Sequence, residues 1–289
     1  MAGSISVSMN QTVSIILPAH NEADYIDACV QALLHSDTLP DGWKPQVIVV
    51  ANGCSDGTAA RARSHAKTAE ARGWDWRVIE LKHGSKPGAL NAGDAAAKGD
   101  VLVYLDADVL VSPALLRQLV AQLGVQGPTY GSGSPQLMPA QDWVTGAYGR
   151  FWVTLPFVTH GCPGFGAFAM NRTGRNRWGD WPQIISDDTF ARLQFTSAER
   201  VRVTAQYQWP LVEGFRNLVR VRRRQNEGVA QISDLYPDLM ANDDKLPTSL
   251  VGLFRRALRH PLGFVVYVTV ALAVKTRLFR SKSEWVRGR

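Results

Sequence analysis

The 289-residue chain is poor in cysteine: Cys29, Cys54 and Cys162 are far apart and odd in number. That excludes a disulfide framework and leaves no zinc-ligand spacing, so a reducing compartment is the simple reading. No GxGxxG follows the first apolar run and no GxxxxGK[ST] occurs anywhere, which weighs against dinucleotide-binding and P-loop classes. Met1 to Thr12 lacks positive charge, so no secretory signal is expected. The uncharged stretch Pro261–Val274 is fourteen residues. As a helix it would measure ~21 Å against a ~30 Å hydrocarbon core, so a segment lying in a membrane interface is favoured over a spanning one. A core helix or an oligomer contact is the competing reading.

Acidic residues are scarce at one end. Residues 255–289 hold nine Lys/Arg and only Glu284 as an acid, a net of +8, whereas the other 254 residues carry 23 bases and 24 acids. The basic character therefore belongs to the tail. A nucleic-acid-binding protein could carry such a tail, and so could a body docked on an anionic membrane; the membrane is the expected partner, with no nucleic acid. With 45% hydrophobic and 20% charged residues, the body is globular rather than disordered.

The first third alternates short apolar runs with helical patterns. Strands are predicted at 13–17, 47–50, 77–81 and 101–105, and helices at 23–34, 57–71, 87–97 and 113–123. This rhythm predicts βαβ units around a mostly parallel sheet flanked by helices. From Gly124 to Trp181 glycine, proline and aromatics are dense, and a loop-rich region is expected. A helix at 187–195, a strand at 201–205 and a basic helix at 215–231 follow. The predicted organisation is a body over 1–245, split near 123 into a nucleotide-binding half (12–123) and an acceptor half (124–245), with a separable tail at 246–289.

Ligands of open α/β sheets bind at the carboxyl ends of the strands. Polar residues follow each predicted strand there: Pro18-Ala19-His20-Asn21-Glu22, then Asn52-Gly53-Cys54-Ser55-Asp56-Gly57-Thr58, then Lys86 with Asn91, then Asp106-Ala107-Asp108. Two carboxylates at i and i+2 after a buried strand suit Mg²⁺ or Mn²⁺ bridging a diphosphate. A solvated turn is the plain alternative.

The order P-x-H-N-E, N-G-x-S-D-G-T, K-x-x-A-L-N and D-A-D resembles the family-2 inverting glycosyltransferases of the GT-A fold, over roughly residues 12–230. The resemblance implies that Pro18, His20 and Glu22 cup the nucleotide base and ribose. Asn52 stands where the family usually has an aspartate meeting uracil, a departure that weakens the case for UDP. Asp56 matches the second acid of that motif, or else caps the following helix. Lys86 and Asn91 lie beside the nucleotide, Asp106 contacts ribose and metal, and Asp108 is the direct metal ligand. Asp187-Asp188 is similar to the family's ED motif, which implies Asp188 as general base and Asp187 as its helper. Neighbouring carboxylates raise one another's pKa, which would improve such a base. Gly161–Gly166 matches a glycine-rich floor under the donor sugar, or a plain turn cluster. Trp178 and Trp181 either stack on sugars or pack. Arg222 and Arg224 match the two arginines of Q-R-x-R-W, implying that Arg222 or Arg224 meets the diphosphate, although Val221 and Gln225 replace the Gln and Trp; a solvated basic helix is the plain alternative.

These readings predict a metal-dependent transferase that moves one sugar from a nucleotide-diphosphate donor, UDP by default, to a saccharide or lipid-linked saccharide in cell-surface polysaccharide assembly. It would work at the inner face of the cell membrane. Transfer onto polyprenyl phosphate, a nucleotidyltransferase and a non-catalytic basic binding protein are the alternatives weighed.

Overall fold

The computed structural model describes residues 11–246, 249–277 and 279; the remaining tail charges, Arg280, Lys282, Glu284, Arg287 and Arg289, lie outside the described residues. The first half runs β1 (Gln11–Ala19), α1 (Ile26–Leu34), β2 (Trp43–Asn52), α2 (Thr58–Ser64), α3 (Ala66–Ala71), β3 (Asp75–Leu81), α4 (Lys86–Ala96), β4 (Val101–Leu105), β5 (Leu110–Val111) and α5 (Leu115–Leu123). The second half runs β6 (Tyr130–Leu137), α6 (Trp143–Trp152), α7 (Pro156–Thr159), β7 (Ala167–Asn171), α8 (Arg172–Arg175), α9 (Asp187–Leu193), β8 (Arg200–Trp209), α10 (Phe215–Leu235), α11 (Leu250–Arg259) and α12 (Pro261–Lys275).

Eight strands form one sheet in the order β3-β2-β1-β4-β7-β6-β8-β5. β3, β2, β1 and β4 are parallel, with Val13 opposite Val101 and Val47 opposite Ile15. β7 runs antiparallel to both β4 and β6. The apolar runs are continuous because both faces are covered. Val13, Ile15 and Leu17 join one core with α1 and α5, while Ile16 points into a second core with Leu90, Phe168 and Phe190. Alternate side chains of one strand thus feed two cores.

The structure departs from the sequence reading in three places. Helix α1 starts at Ile26, not Ala23, because the loop's N–H groups are taken elsewhere: Glu22 N–H donates to Thr58 Oγ1 and Ala23 N–H to Asp56 Oδ2. The long alanine-rich helix breaks at His65, whose ring meets Asp27 of α1 at 2.8 Å. The region 124–181 is not chiefly loop but contains β6, α6 and β7. β6 reads YGSGSPQL, and its glycines are what α5 requires: a Cβ at Gly131 or Gly133 would come within 2.7 Å of Leu123 or 2.6 Å of Leu115.

The tail helices lie on the body. A third core joins Tyr148, Phe151 and Trp152 of α6, Leu218 and Val219 of α10, and Val270 and Ala273 of α12. Gly263 permits the approach, since a Cβ there would sit 2.5 Å from the Ala147 carbonyl. The Tyr267 ring stacks on Tyr148 with centroids 5.6 Å apart. Arg223 donates to the carbonyls of Ala273, Val274 and Thr276 at the end of α12, where cationic donors satisfy orphan acceptors. Among the described residues no helix is long and apolar enough to cross a membrane.

Candidate active site

The carboxyl ends of β1, β2 and β4 converge on a pocket of about 630 Å³ lined by Pro18, His20, Glu22, Asn52, Lys86, Asp106, Asp108 and Arg224. A second cavity of about 730 Å³ adjoins it, sharing Lys86, Asp106 and Arg224, and adds Asp187, Asp188, Gly166 and Trp209. The structure therefore brings together ten of the thirteen candidate residues across three strand ends, α4, α9 and α10.

Local sequence explains the placement. Ser85 caps α4 by accepting from Gly88 N–H, with Pro87 in the first turn, which sets Lys86 at the helix start facing inward. Gly53 holds a positive φ of 61° and lies so close to Gly84 that a Cβ would be 2.5 Å from its nitrogen. Asn52 is 1% exposed, and its Oδ1 accepts from Ser85 N–H at 2.8 Å. Its amide NH₂ is the part left to turn toward a ligand, a donor where an aspartate would be an acceptor. The His20 ring bonds the Asn52 carbonyl at 2.6 Å.

Lys86 is the electrostatic centre. Its Nζ lies 3.2 Å from Asp106 and 3.0 Å from Asp187. Burial works against the ammonium, but Asp106, Asp187 and Asp188 more than offset it, so its pKa lies above the ordinary lysine value. Asp188 is pushed from 3.8 up to about 6 by removal from water and by the adjacent Asp187 carboxylate, with Lys86 pulling the other way. Helix α10 buttresses this acidic pair. A Cβ at Gly228 would lie 2.1 Å from Ser186 Oγ, and Gln231 Oε1 accepts from Ile185 N–H at 2.9 Å.

Three candidates lie elsewhere. Asp56 Oδ1 accepts from Thr58 N–H at 3.0 Å and its other oxygen from Ala23 N–H, so it braces the loop that carries His20 and Glu22. Asn91 Oδ1 accepts from Trp181 N–H at 2.8 Å, fixing the loop before α9. Arg222 turns away: its Nη2 bonds Tyr267 Oη at 3.2 Å and its guanidinium lies 5.4 Å from the centre of that ring. Trp178 and Trp181 pack rather than await a sugar; Arg175 lies over both rings, and Trp181 Nε1–H donates to Asp94. Gly166 lines the second cavity, and its carbonyl accepts from Asp106 N–H at 2.8 Å. Sequence reasoning passed over Trp209, although it too ends a strand.

The donor chemistry of Asp106 and Asp108 fits a hard divalent cation. Mg²⁺ and Mn²⁺ take one or two carboxylates and complete their shell with phosphate and water. Among the described residues no group of three His, Cys, Asp or Glu could hold a metal. The pair therefore suits an ion that arrives with a diphosphate rather than a structural metal.

Residues 14–150 match the family model described as Glycosyl transferase family 2. The glycosyltransferase EpsJ of Bacillus subtilis is 34% identical over 110 residues, covering 38% of this chain and 30% of that protein. Glucosyl-3-phosphoglycerate synthase of Mycobacterium tuberculosis is 30% identical over 121 residues, 40% of this chain and 36% of that protein. The chain thus spans about a third of the length of these curated relatives. The structure of the mycobacterial synthase with Mn²⁺, UDP and glucosyl-3-phosphoglycerate superposes with a TM-score of 0.52 at 22% identity, over 78% of this chain and 79% of that one. The mannosyltransferase PcManGT of Pyrobaculum calidifontis, in complex with GDP-Man and Mn²⁺, gives 0.59 at 21% identity, over 91% and 80%. The architecture is the GT-A fold. The family match takes in the parallel strands and runs as far as α6.

Proposed function

We propose that the protein is an inverting, divalent-cation-dependent glycosyltransferase that moves one sugar from a nucleotide-diphosphate donor to an acceptor hydroxyl. The observation that carries this reading is the pair of adjoining pockets, one lined by Asp106 and Asp108 and the other by Asp188 with its pKa near 6, joined at Lys86. Pro18, His20, Glu22 and Asn52 hold the nucleoside. Asp106 and Asp108 hold the cation, which when bound offsets the charge of the leaving diphosphate. Arg224 lines both pockets and is placed to bond phosphate oxygens. Asp188 accepts the proton of the attacking hydroxyl, while Asp187, fixed by Lys86, orients the acceptor. Attack opposite the leaving diphosphate inverts the anomeric carbon. UDP is the first donor to test, with GDP next, since solved neighbours hold either UDP or GDP-Man with Mn²⁺.

The donor half is 12–123 and the acceptor half 124–245, with 246–289 as a membrane-associating tail. Support for the tail's role comes from α11, where Leu250, Val251, Phe254 and Leu258 form one apolar face, each at least 64% exposed, with Arg255 and Arg259 exposed on the same helix. The original expectation centred on 261–274, yet α12 gives part of its surface to the third core and α11 offers the freer face. An enzyme held at the inner face of the cell membrane would reach lipid-linked saccharides of polysaccharide assembly.

The deciding experiment is a thermal-shift panel of UDP, GDP, TDP and CMP, each with Mn²⁺, Mg²⁺ or EDTA, on the wild type and Asp108→Ala. A nucleotide at 100 times its Kd adds ~2.7 kcal/mol of stability. One nucleotide should stabilise the wild type only with metal and leave the variant unmoved. Stabilisation by none would remove the donor site from consideration.

A further inference from the structure

The central cavity does not end at Trp209 and Val221. On the far side of these residues and Gln225, all three of which line both spaces, opens a shallow annex walled by Tyr148, Trp152, Leu211, Leu218 and Arg222. Its chemistry differs sharply from that of the donor pocket. The walls are aromatic and aliphatic, and the charged or amide groups on them are Arg222 and Gln225. Arg222 is already bonded to Tyr267 and lies over its ring. A pyranose brings several hydroxyls that each require a partner, and this wall has few to give. An alkyl or isoprenyl segment requires only the apolar surface. The annex also runs toward α12, because Tyr148 and Arg222 on its wall both meet Tyr267.

We propose that this annex is an acceptor subsite for an apolar chain carried next to the hydroxyl that receives the sugar. The acceptor is then a lipid-linked or lipid-like alcohol rather than a free saccharide. The inference rests on the transferase reading of the adjoining pockets and narrows its acceptor class.

The test uses methyl and octyl β-D-glucopyranoside as probes, the latter below its micelle concentration, with UDP or GDP and Mn²⁺ present. Binding is followed by tryptophan fluorescence, since Trp152 and Trp209 line the annex. Burial of about four methylenes makes the octyl glycoside about 200-fold tighter than the methyl glycoside. Leu211→Trp, which fills the space, and Leu211→Asn, which makes it polar, should each remove most of that preference. Both should leave the metal-dependent nucleotide shift intact, and that shift also reports that the variants fold. Equal binding of the two probes by the wild type overturns the proposal without any variant. So does a preference that survives both substitutions, which would place the chain on another apolar surface such as α11. Loss of nucleotide binding in the wild type would count against the transferase reading instead, because the glycoside comparison is read separately.

Discussion

Asp188 offers a test in which catalysis and stability move in opposite directions. Its carboxyl sits at about 6 in the folded protein against an ordinary 3.8. If it takes the acceptor proton, the rate is proportional to its ionised fraction. Sugar transfer should be near its plateau at pH 7.5, half-maximal near pH 6, and fall about tenfold per unit below pH 5. An unshifted carboxylate would hold the rate level down to about pH 4. The stability sign follows from the raised value. The folded state binds this proton more tightly than the unfolded chain does, so the favourable contribution is complete below pH 3.8 and is lost as pH rises through about 6. At pH 7.5 the ionised group is therefore a burden of at most about 3 kcal/mol. Asp188→Asn should cut transfer by about 10²–10⁴-fold. It should nevertheless leave Tm at pH 7.5 unchanged or a few degrees higher. The assays are nucleotide release across pH 4.5–8.5 at fixed Mn²⁺ and calorimetry of the two proteins. A flat rate between pH 5 and 8, or an active Asn variant, would refute the assignment. The second outcome would point to an acceptor phosphate that needs no base.

Other substitutions probe the supports of the site. Gly228→Ala places a methyl against Ser186 and Ile185, so it should cost about 1–3 kcal/mol in urea unfolding and lower kcat more than nucleotide affinity, because it displaces the acidic pair and not the nucleoside loop. Arg175 is 8% exposed and holds Asp94, the Trp178 and Gly179 carbonyls and two indole faces; Arg175→Ala should destabilise by about 3–5 kcal/mol by the same measurement. Phe254→Glu with Leu258→Glu should abolish cosedimentation with phosphatidylserine vesicles and leave the nucleotide shift unaltered, whereas undiminished cosedimentation would exclude α11 as the contact.

The parallel half of the sheet was legible because parallel strands buried on both faces must be written as continuous apolar runs, and Val13–Leu17 and Val101–Leu105 are such runs. β6 was hidden by the close approach of α5, which replaced β-branched residues with glycine and serine. In the site, the strand-end motifs located Lys86, Asp106 and Asp108, but motif matching left Arg222 and Arg224 as equal candidates for one phosphate contact. Helix geometry admits only one of them, since residues two apart do not share a face, and the site takes Arg224. The residues of α10 that reach the site, Val221, Arg224 and Gln225, follow the i, i+3, i+4 spacing, and Gly228 continues it. That period was open to inspection in the sequence. The roles of Asp56 and Asn91 were not, because both depend on loops distant in the chain.

The close crossing of α12 over α6 has a practical consequence for any attempt to shorten this protein. Ending the chain near residue 245 would strip the cover from Tyr148, Phe151, Val219 and Leu218, and it would remove the acceptors that hold Arg223. The truncated body would present a fresh aromatic surface to water and tend to associate through it. Its behaviour would then report on a wounded core and not on the loss of a membrane anchor, so the contribution of the tail is better dissected by changing the outward side chains of α11 one at a time.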